Sequence, residues 1–219
     1  MKVLITGATG MIGKLVLANC LNTERITAVI SLVRKPTGIS HKKLTEIVIA
    51  DFENYIEHEK LFEDIGAAFF CLGAYTGQVK DDLFKKITVD YPVAFANTLS
   101  KMSPSATICL LSGAGADRTE KSKTAFARYK GMAENQIANL ALQFYSFRPA
   151  YIYPVESRKE PNIGYRIIKL LYPLIKAFGK KYSIQSTQLA DAMFNVGLHG
   201  AAQQILENKD ILQYISIRE

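Results

Sequence analysis

Residues 2–6, KVLIT, form a short apolar run that ends abruptly in TGATGMIG, with glycines at positions 7, 10 and 13. MIGKLVLANCL, residues 11–21, then repeats its apolar residues at helical spacing. A strand that turns into a helix this quickly needs residues that tolerate positive φ and close backbone approach, which is what glycine supplies. It also leaves free N–H groups and the positive end of a helix dipole above the strand, a cradle suited to a pyrophosphate. Glycine triplets occur by chance, and a tight connection with no ligand would look alike. The position of this one, after the first strand and ahead of alternating strands and helices, favours the phosphate-binding reading.

The rest of the chain continues the alternation. ITAVISLV (26–33), LTEIVIA (44–50), AAFFCL (67–72), ATICLLS (106–112) and FYSFRPA (144–150) have the length and β-branched or aromatic content of buried strands. Residues 80–101 and 122–142 read as helices between them. Strands that alternate with helices imply βαβ units, hence an α/β, doubly wound parallel sheet of Rossmann type. Residues 1–219 are expected to form one such domain, with 150–219 contributing a small substrate-cleft or lid region. Within that part NIGYRIIKLLYPLIKAFGKK (162–181) reads as a basic amphipathic helix interrupted by Pro173. A lid over the cleft fits the topology better than a helix that lies on a membrane surface or binds a partner. With 65 residues after Pro154, no large second lobe is expected.

The charge is uneven: residues 1–110 carry 12 Lys/Arg against 11 Asp/Glu, residues 111–219 carry 15 against 9. The lysines of the basic half are scattered and no nucleic-acid signature accompanies them, so a solvated face that tolerates a phosphorylated ligand is expected. Cys20, Cys71 and Cys109 sit in apolar runs and read as small buried hydrophobes of a reducing compartment. Thr6, Gly7, Thr9, Gly10 and Lys14 interrupt what would otherwise resemble a signal-peptide core. No uninterrupted apolar run reaches membrane-spanning length. A cytoplasmic protein is the expectation. His41, His58 and His199 stand apart from other ligand types, so no metal site is expected.

Beyond the turn itself (Gly7, Thr9, Gly10, Met11, Ile12, Gly13), the second strand runs into Arg34 and Lys35. An acidic residue here would hold the ribose hydroxyls of NAD, whereas a guanidinium grips a 2′-phosphate, so NADP(H) is expected over NAD(H). Asp51 after the third strand offers an acceptor to the adenine amino group, with Phe52 beside the ring. Leu72, Gly73 and Ala74 follow the fourth strand, where glycine lets the backbone pass close to the cofactor.

Taken together TGATGMIG, SLVRK, FFCLGAYTG, VDYPVAFANTL, LLSGAGAD, YKGMAEN, SFRPAYIYP and ILENKDI resemble the short-chain dehydrogenase/reductase superfamily, in particular its atypical, extended-type members close to the Tat-interacting-protein-like and NmrA-like oxidoreductases. The resemblance implies a serine after the fifth strand and a Tyr-x-x-x-Lys on the next helix. Ser112 matches the serine and Lys130 the lysine, which would hold the nicotinamide ribose. The tyrosine position falls on Phe126, which keeps the shape of tyrosine but has no proton to give. Tyr129, about 60° further round the helix, is the nearest substitute; Tyr75, Tyr151 and Tyr153 are others. Ser112 alternatively caps the GAGAD turn. Pro149 and Tyr151 are implied beside the nicotinamide carboxamide. The functional expectation is an NADP(H)-dependent reductase of a small carbonyl, quinone or flavin-like acceptor. The alternative is an NADP(H)-binding redox sensor that acts through a protein partner; a homodimer fits either.

Overall fold

A computed structural model describes residues 1–75, 77–156 and 182–215. Among the described residues, seven strands form one parallel sheet in the order β3-β2-β1-β4-β5-β6-β9. Their bounds are β1 Lys2–Thr6, β2 Ala28–Val33, β3 Leu44–Val48, β4 Ile65–Phe70, β5 Thr107–Leu111, β6 Gln143–Arg148 and β9 Ile205–Glu207. β7 (Tyr151–Tyr153) and β8 (Ser183–Gln185) pair separately, also in parallel. The order reverses between β1 and β4, and such a reversal opens a crevice at the carboxyl ends of the strands.

Both faces of the sheet's centre are covered, which is why β1, β2, β4 and β5 read as largely apolar runs. At the β3 edge, by contrast, LTEIV carries Thr45 and Glu46 and is only partly buried, not the fully buried strand expected there. Side chains alternate between faces, so the registered pairs Val3↔Val29 and Leu4↔Ile30 belong to opposite cores. On one side Val3, Ile5, Phe69, Cys109 and Phe147 pack against α1 (Gly13–Asn22) and α5 (Ser186–His199). On the other Leu4, Leu32, Phe70, Ile108 and Phe144 meet a 3-10 helix (Ile56–Phe62), α3 (Tyr91–Met102) and α4 (Ala125–Ala138). A short α6 (Asn208–Ile211) follows β9. The seven-stranded, helix-covered sheet is the doubly wound Rossmann-like architecture expected from the alternation. Residues 186–215 complete its layers, and the amphipathic stretch 162–181 lies outside the described residues.

The expected helix at 80–101 is present, with one departure from α geometry. α2 (Asp81–Lys85) runs into α3 through a wider, π-type turn at Lys86–Asp90. Pro92 explains its place: it has no N–H to donate to the carbonyl of Thr88, and its ring crowds that carbonyl. The widened turn moves the preceding carbonyls aside and lets the helix continue.

Candidate functional site

The glycine turn meets the end of β4 almost atom to atom. Gly7 has φ +72, and a Cβ there would lie 2.5 Å from the carbonyl carbon of Cys71. A Cβ on Gly13 would lie 2.2 Å from the carbonyl oxygen of Gly7, so that glycine lets α1 close onto the turn. The amide of Gly10 donates to the Gly7 carbonyl at 2.8 Å. Those of Met11, Ile12 and Gly13 have no backbone partner among the described residues, which leaves the helix start free to bind an anion.

Beside this turn lies a cleft of about 110 Å³. Gly7, Thr9 and Gly10 form its floor, Arg34 stands at one end, and Phe52, Leu72 and Gly73 form its walls. Seven of the residues expected to bind cofactor are thereby brought together at the switch point of the sheet. Phe52 is fixed by edge contact with Tyr55 at 6.5 Å between ring centres and by Tyr91 at 5.8 Å. Cys71 also lines the cleft, although its sequence context marks it only as buried; burial pushes its thiol up to about 12, far from reactive.

The remaining expected residues lie elsewhere. Met11 lines a second cleft of about 190 Å³, which shares Thr9 with the first and is bounded by Lys14, Pro154 and Glu156. Lys14 and Glu156 form an ion pair at its rim. Ile12 is buried behind the turn. Lys35 is exposed, and Asp51 accepts a hydrogen bond from its own turn, the amide of Glu53 at 2.9 Å. Ala74 packs near Phe84 and Tyr129. Pro149 is buried and its carbonyl accepts from the Ala114 amide at 2.9 Å. Tyr151 sits on β7, its amide donating to the Tyr182 carbonyl. Met11 apart, none of these residues lines either cleft.

The catalytic candidates cluster where β5 meets α4. Lys130 Nζ donates to the Leu111 carbonyl at 3.0 Å. Burial pushes this ammonium down to about 8, and Glu134, one helical turn on, offsets part of that. Holding this lysine charged is unfavourable at neutral pH. The penalty is relieved from about 8 up to the ordinary 10.5, where the unfolded chain still carries the proton, so this group's contribution to stability rises with pH across that window. Phe126 lies one turn before Lys130, and its ring tip is 2.6 Å from where a Cβ on Gly113 would sit. Tyr129 turns to the other side: its hydroxyl donates to Asp81 Oδ2 at 2.7 Å, and its ring packs on Phe84 beneath the Arg128 guanidinium. The Asp81 bond, with burial, raises its phenol above the usual range.

Ser112 reveals a group that the sequence reading missed. Its hydroxyl donates to Glu134 Oε1 at 2.6 Å. Glu134 is wholly buried and also receives Ser146 at 2.7 Å and a two-pronged Arg148, whose Nε is at 3.0 Å and whose Nη2 reaches the other oxygen. Arg148 Nη1 extends to Glu207 at 3.0 Å. The one signal in the sequence is the place of Glu134, four residues after Lys130 and between Ala133 and Ile137 on the inward face of the helix. Among the described residues no group of His, Cys, Asp and Glu could hold a metal ion, and no helix is long and apolar enough to cross a membrane.

The profile of a protein family described as NAD(P)H-binding matches residues 7–197. No curated protein matches the chain. Among solved structures, a putative NAD-dependent epimerase/dehydratase from Bacillus halodurans is similar over 98% of each chain, with TM-score 0.70 and 17% identity. The Bordetella bronchiseptica enzyme WbmG in complex with NAD is similar over 99% of this chain and 78% of its own, with TM-score 0.69 and 15% identity. Yeast methylglyoxal/isovaleraldehyde reductase Gre2 complexed with NADPH is similar over 94% and 77%, with TM-score 0.68 and 14% identity. At these identities the likeness carries the fold.

Proposed function

The chain belongs to the NAD(P)H-binding family, and from that premise we propose that it is an NADP(H)-dependent reductase of a small carbonyl, quinone or flavin-like acceptor. The observation that carries the reading is the cleft between the glycine turn and Leu72, with Arg34 at its end. The turn at Gly7, Thr9 and Gly10 and the free amides of Met11–Gly13 suit a pyrophosphate; Arg34 suits a 2′-phosphate; Lys130 suits a ribose hydroxyl. The cofactor, when bound, supplies a hydride. The reductase Gre2 among the structural neighbours, described with NADPH, is in keeping with this assignment.

Calorimetric titration tests the cofactor preference, since the chain has no tryptophan whose quenching would report binding. NADPH is expected to bind more tightly than NADH. Arg34→Ala should weaken NADPH binding by ~10- to 100-fold, the worth of one charge-assisted hydrogen bond, and leave NADH binding nearly unchanged. Equal losses for both cofactors would remove Arg34 from the 2′-phosphate.

A second reading rests on Phe126. A chain that binds NADP(H) but lacks the tyrosine's proton could serve as a redox sensor for a protein partner. Phe126→Tyr separates the two. If the site is built for turnover, the new hydroxyl should raise aldehyde reduction by ~10-fold or more, since a positioned acid contributes ~10²–10⁴. Unchanged turnover, together with a marked difference in affinity between NADPH and NADP⁺, would favour the sensor.

A further inference from the structure

The protons around the end of β5 distinguish one side chain from its neighbours, given the reductase reading on which this inference rests. Reduction of an aldehyde or ketone needs a donor for the carbonyl oxygen. Phe126 has none. A serine hydroxyl carries one proton, and that of Ser112 is given to the fully buried Glu134 carboxylate at 2.6 Å, a short, charge-assisted bond. Glu134 is itself anchored by Arg148 and Ser146, so it cannot follow Ser112 elsewhere without breaking those bonds. Towards a ligand Ser112 therefore presents lone pairs only. Tyr129 has committed its proton to Asp81, on the side of α4 that faces Phe84.

Lys130 is different. Its ammonium carries three protons, one of which goes to the Leu111 carbonyl at 3.0 Å. Among the described residues the other two find no acceptor, enough for a ribose hydroxyl and a substrate oxygen together. We infer that Lys130 is the catalytic acid of this protein, donating directly to the carbonyl oxygen of an aldehyde or ketone, and that Glu134 is a positioning residue that fixes Ser112 as an acceptor. In this step the carbonyl carbon gains the hydride and its π electrons pass to oxygen. An O–H bond forms as one N–H bond of Lys130 breaks, and the neutral amine recovers its proton from water. The acidity suits that proton transfer, because burial holds this ammonium at about 8, near the pH at which it would work. Glu134, on the same helix, is the charged group that acts on it. β5 contributes the neutral Leu111 carbonyl, and Arg148 of β6 and Glu207 of β9 reach it through Glu134.

The first measurement is made on the ligand-free wild-type protein. Trace acetylation with labelled acetic anhydride, followed residue by residue by mass spectrometry, should give Lys130 a midpoint near 8, against about 10.5 for ordinary lysines. The second uses NADPH oxidation with 4-nitrobenzaldehyde. Lys130→Arg keeps a charge and several donors but cannot release a proton, so turnover should fall by ~100-fold or more while NADPH binding by calorimetry stays within about tenfold. A Lys130 midpoint among the ordinary lysines overturns the proposal, as does wild-type turnover in Lys130→Arg. So does a loss of the same size in Tyr75→Phe or Tyr151→Phe with Lys130 intact. Absence of aldehyde reduction by the wild type overturns it too; if NADPH still binds, the cofactor assignment stands, and if NADPH does not bind, that assignment fails with it.

Discussion

Glu134→Ala is expected to lower the stability of the fold by about 3–5 kcal/mol, measured as a shift in the urea midpoint. The carboxylate is wholly buried and accepts from Ser112, Ser146 and both prongs of Arg148. Removing it leaves the Arg148 guanidinium, whose side chain is only 12% exposed, with Glu207 as its remaining carboxylate partner. It also leaves two hydroxyls without acceptors in the space between α4 and the sheet. Breaking one partner of such a pair costs far more than removing both. The double replacement Glu134→Leu with Arg148→Met should therefore recover much of the loss. Recovery in the double variant, with no recovery in Glu134→Leu alone, would show that the penalty comes from a stranded charge and not from lost packing. If the single variant instead melts within about 2 °C of wild type, the network carries little of the fold's stability.

The second large effect belongs to the turn. Gly7→Ala should abolish NADPH binding and cost the fold about 2–4 kcal/mol. Part of the cost, roughly 1–2 kcal/mol, is the left-handed backbone itself; the rest comes from a Cβ placed 2.5 Å from the Cys71 backbone. Relieving that contact pushes the turn away from β4 and opens the floor of the cleft. Gly38 supplies the control. It too has positive φ, at +78, yet a Cβ there meets nothing within 4 Å. Gly38→Ala should cost about 1 kcal/mol and leave NADPH binding unchanged. Equal binding defects in the two variants would separate the turn from the cofactor.

How much of this is legible in the sequence depends on the range of the interactions involved. The strands of the sheet's centre announce themselves because burial on both faces removes polar interruptions: the run AAFFCL lies largely within β4, and ATICLLS holds β5. β9 does not, because three residues, Ile205–Glu207, are a strand only by virtue of Ser146 and its neighbours alongside. The glycine turn is readable because its demands are local, each glycine answering a contact made within a few residues or at the adjacent strand end. Arg34, Phe52 and Leu72 follow from strand order alone. The polar network is not readable. Glu134 looks like any charged helix residue until β5 and β6 bring Ser112 and Arg148 against it from 22 and 14 positions away, with Glu207 of β9 behind the arginine. The angular position of Tyr129 on its helix makes it a candidate acid; its bond to Asp81, 48 residues upstream, depends on how α2 approaches α4.

That approach is set at the wide turn between α2 and α3. The rear half of the helix is keyed to the sheet through Phe95 and Leu99, the front half to α4 through Asp81 and Phe84. Because each residue advances a regular helix by about 100°, the extra residue absorbed at Lys86–Asp90 sets the angular offset between the two halves. The joint works like an indexed coupling on a shaft. A point substitution in α2 changes one contact, whereas losing a single residue from the coupling would swing Asp81 and Phe84 away from Tyr129 together. Variation in length at this joint, more than variation in side chains, is the means by which a chain of this design could re-aim that flank of the site while keeping its sheet.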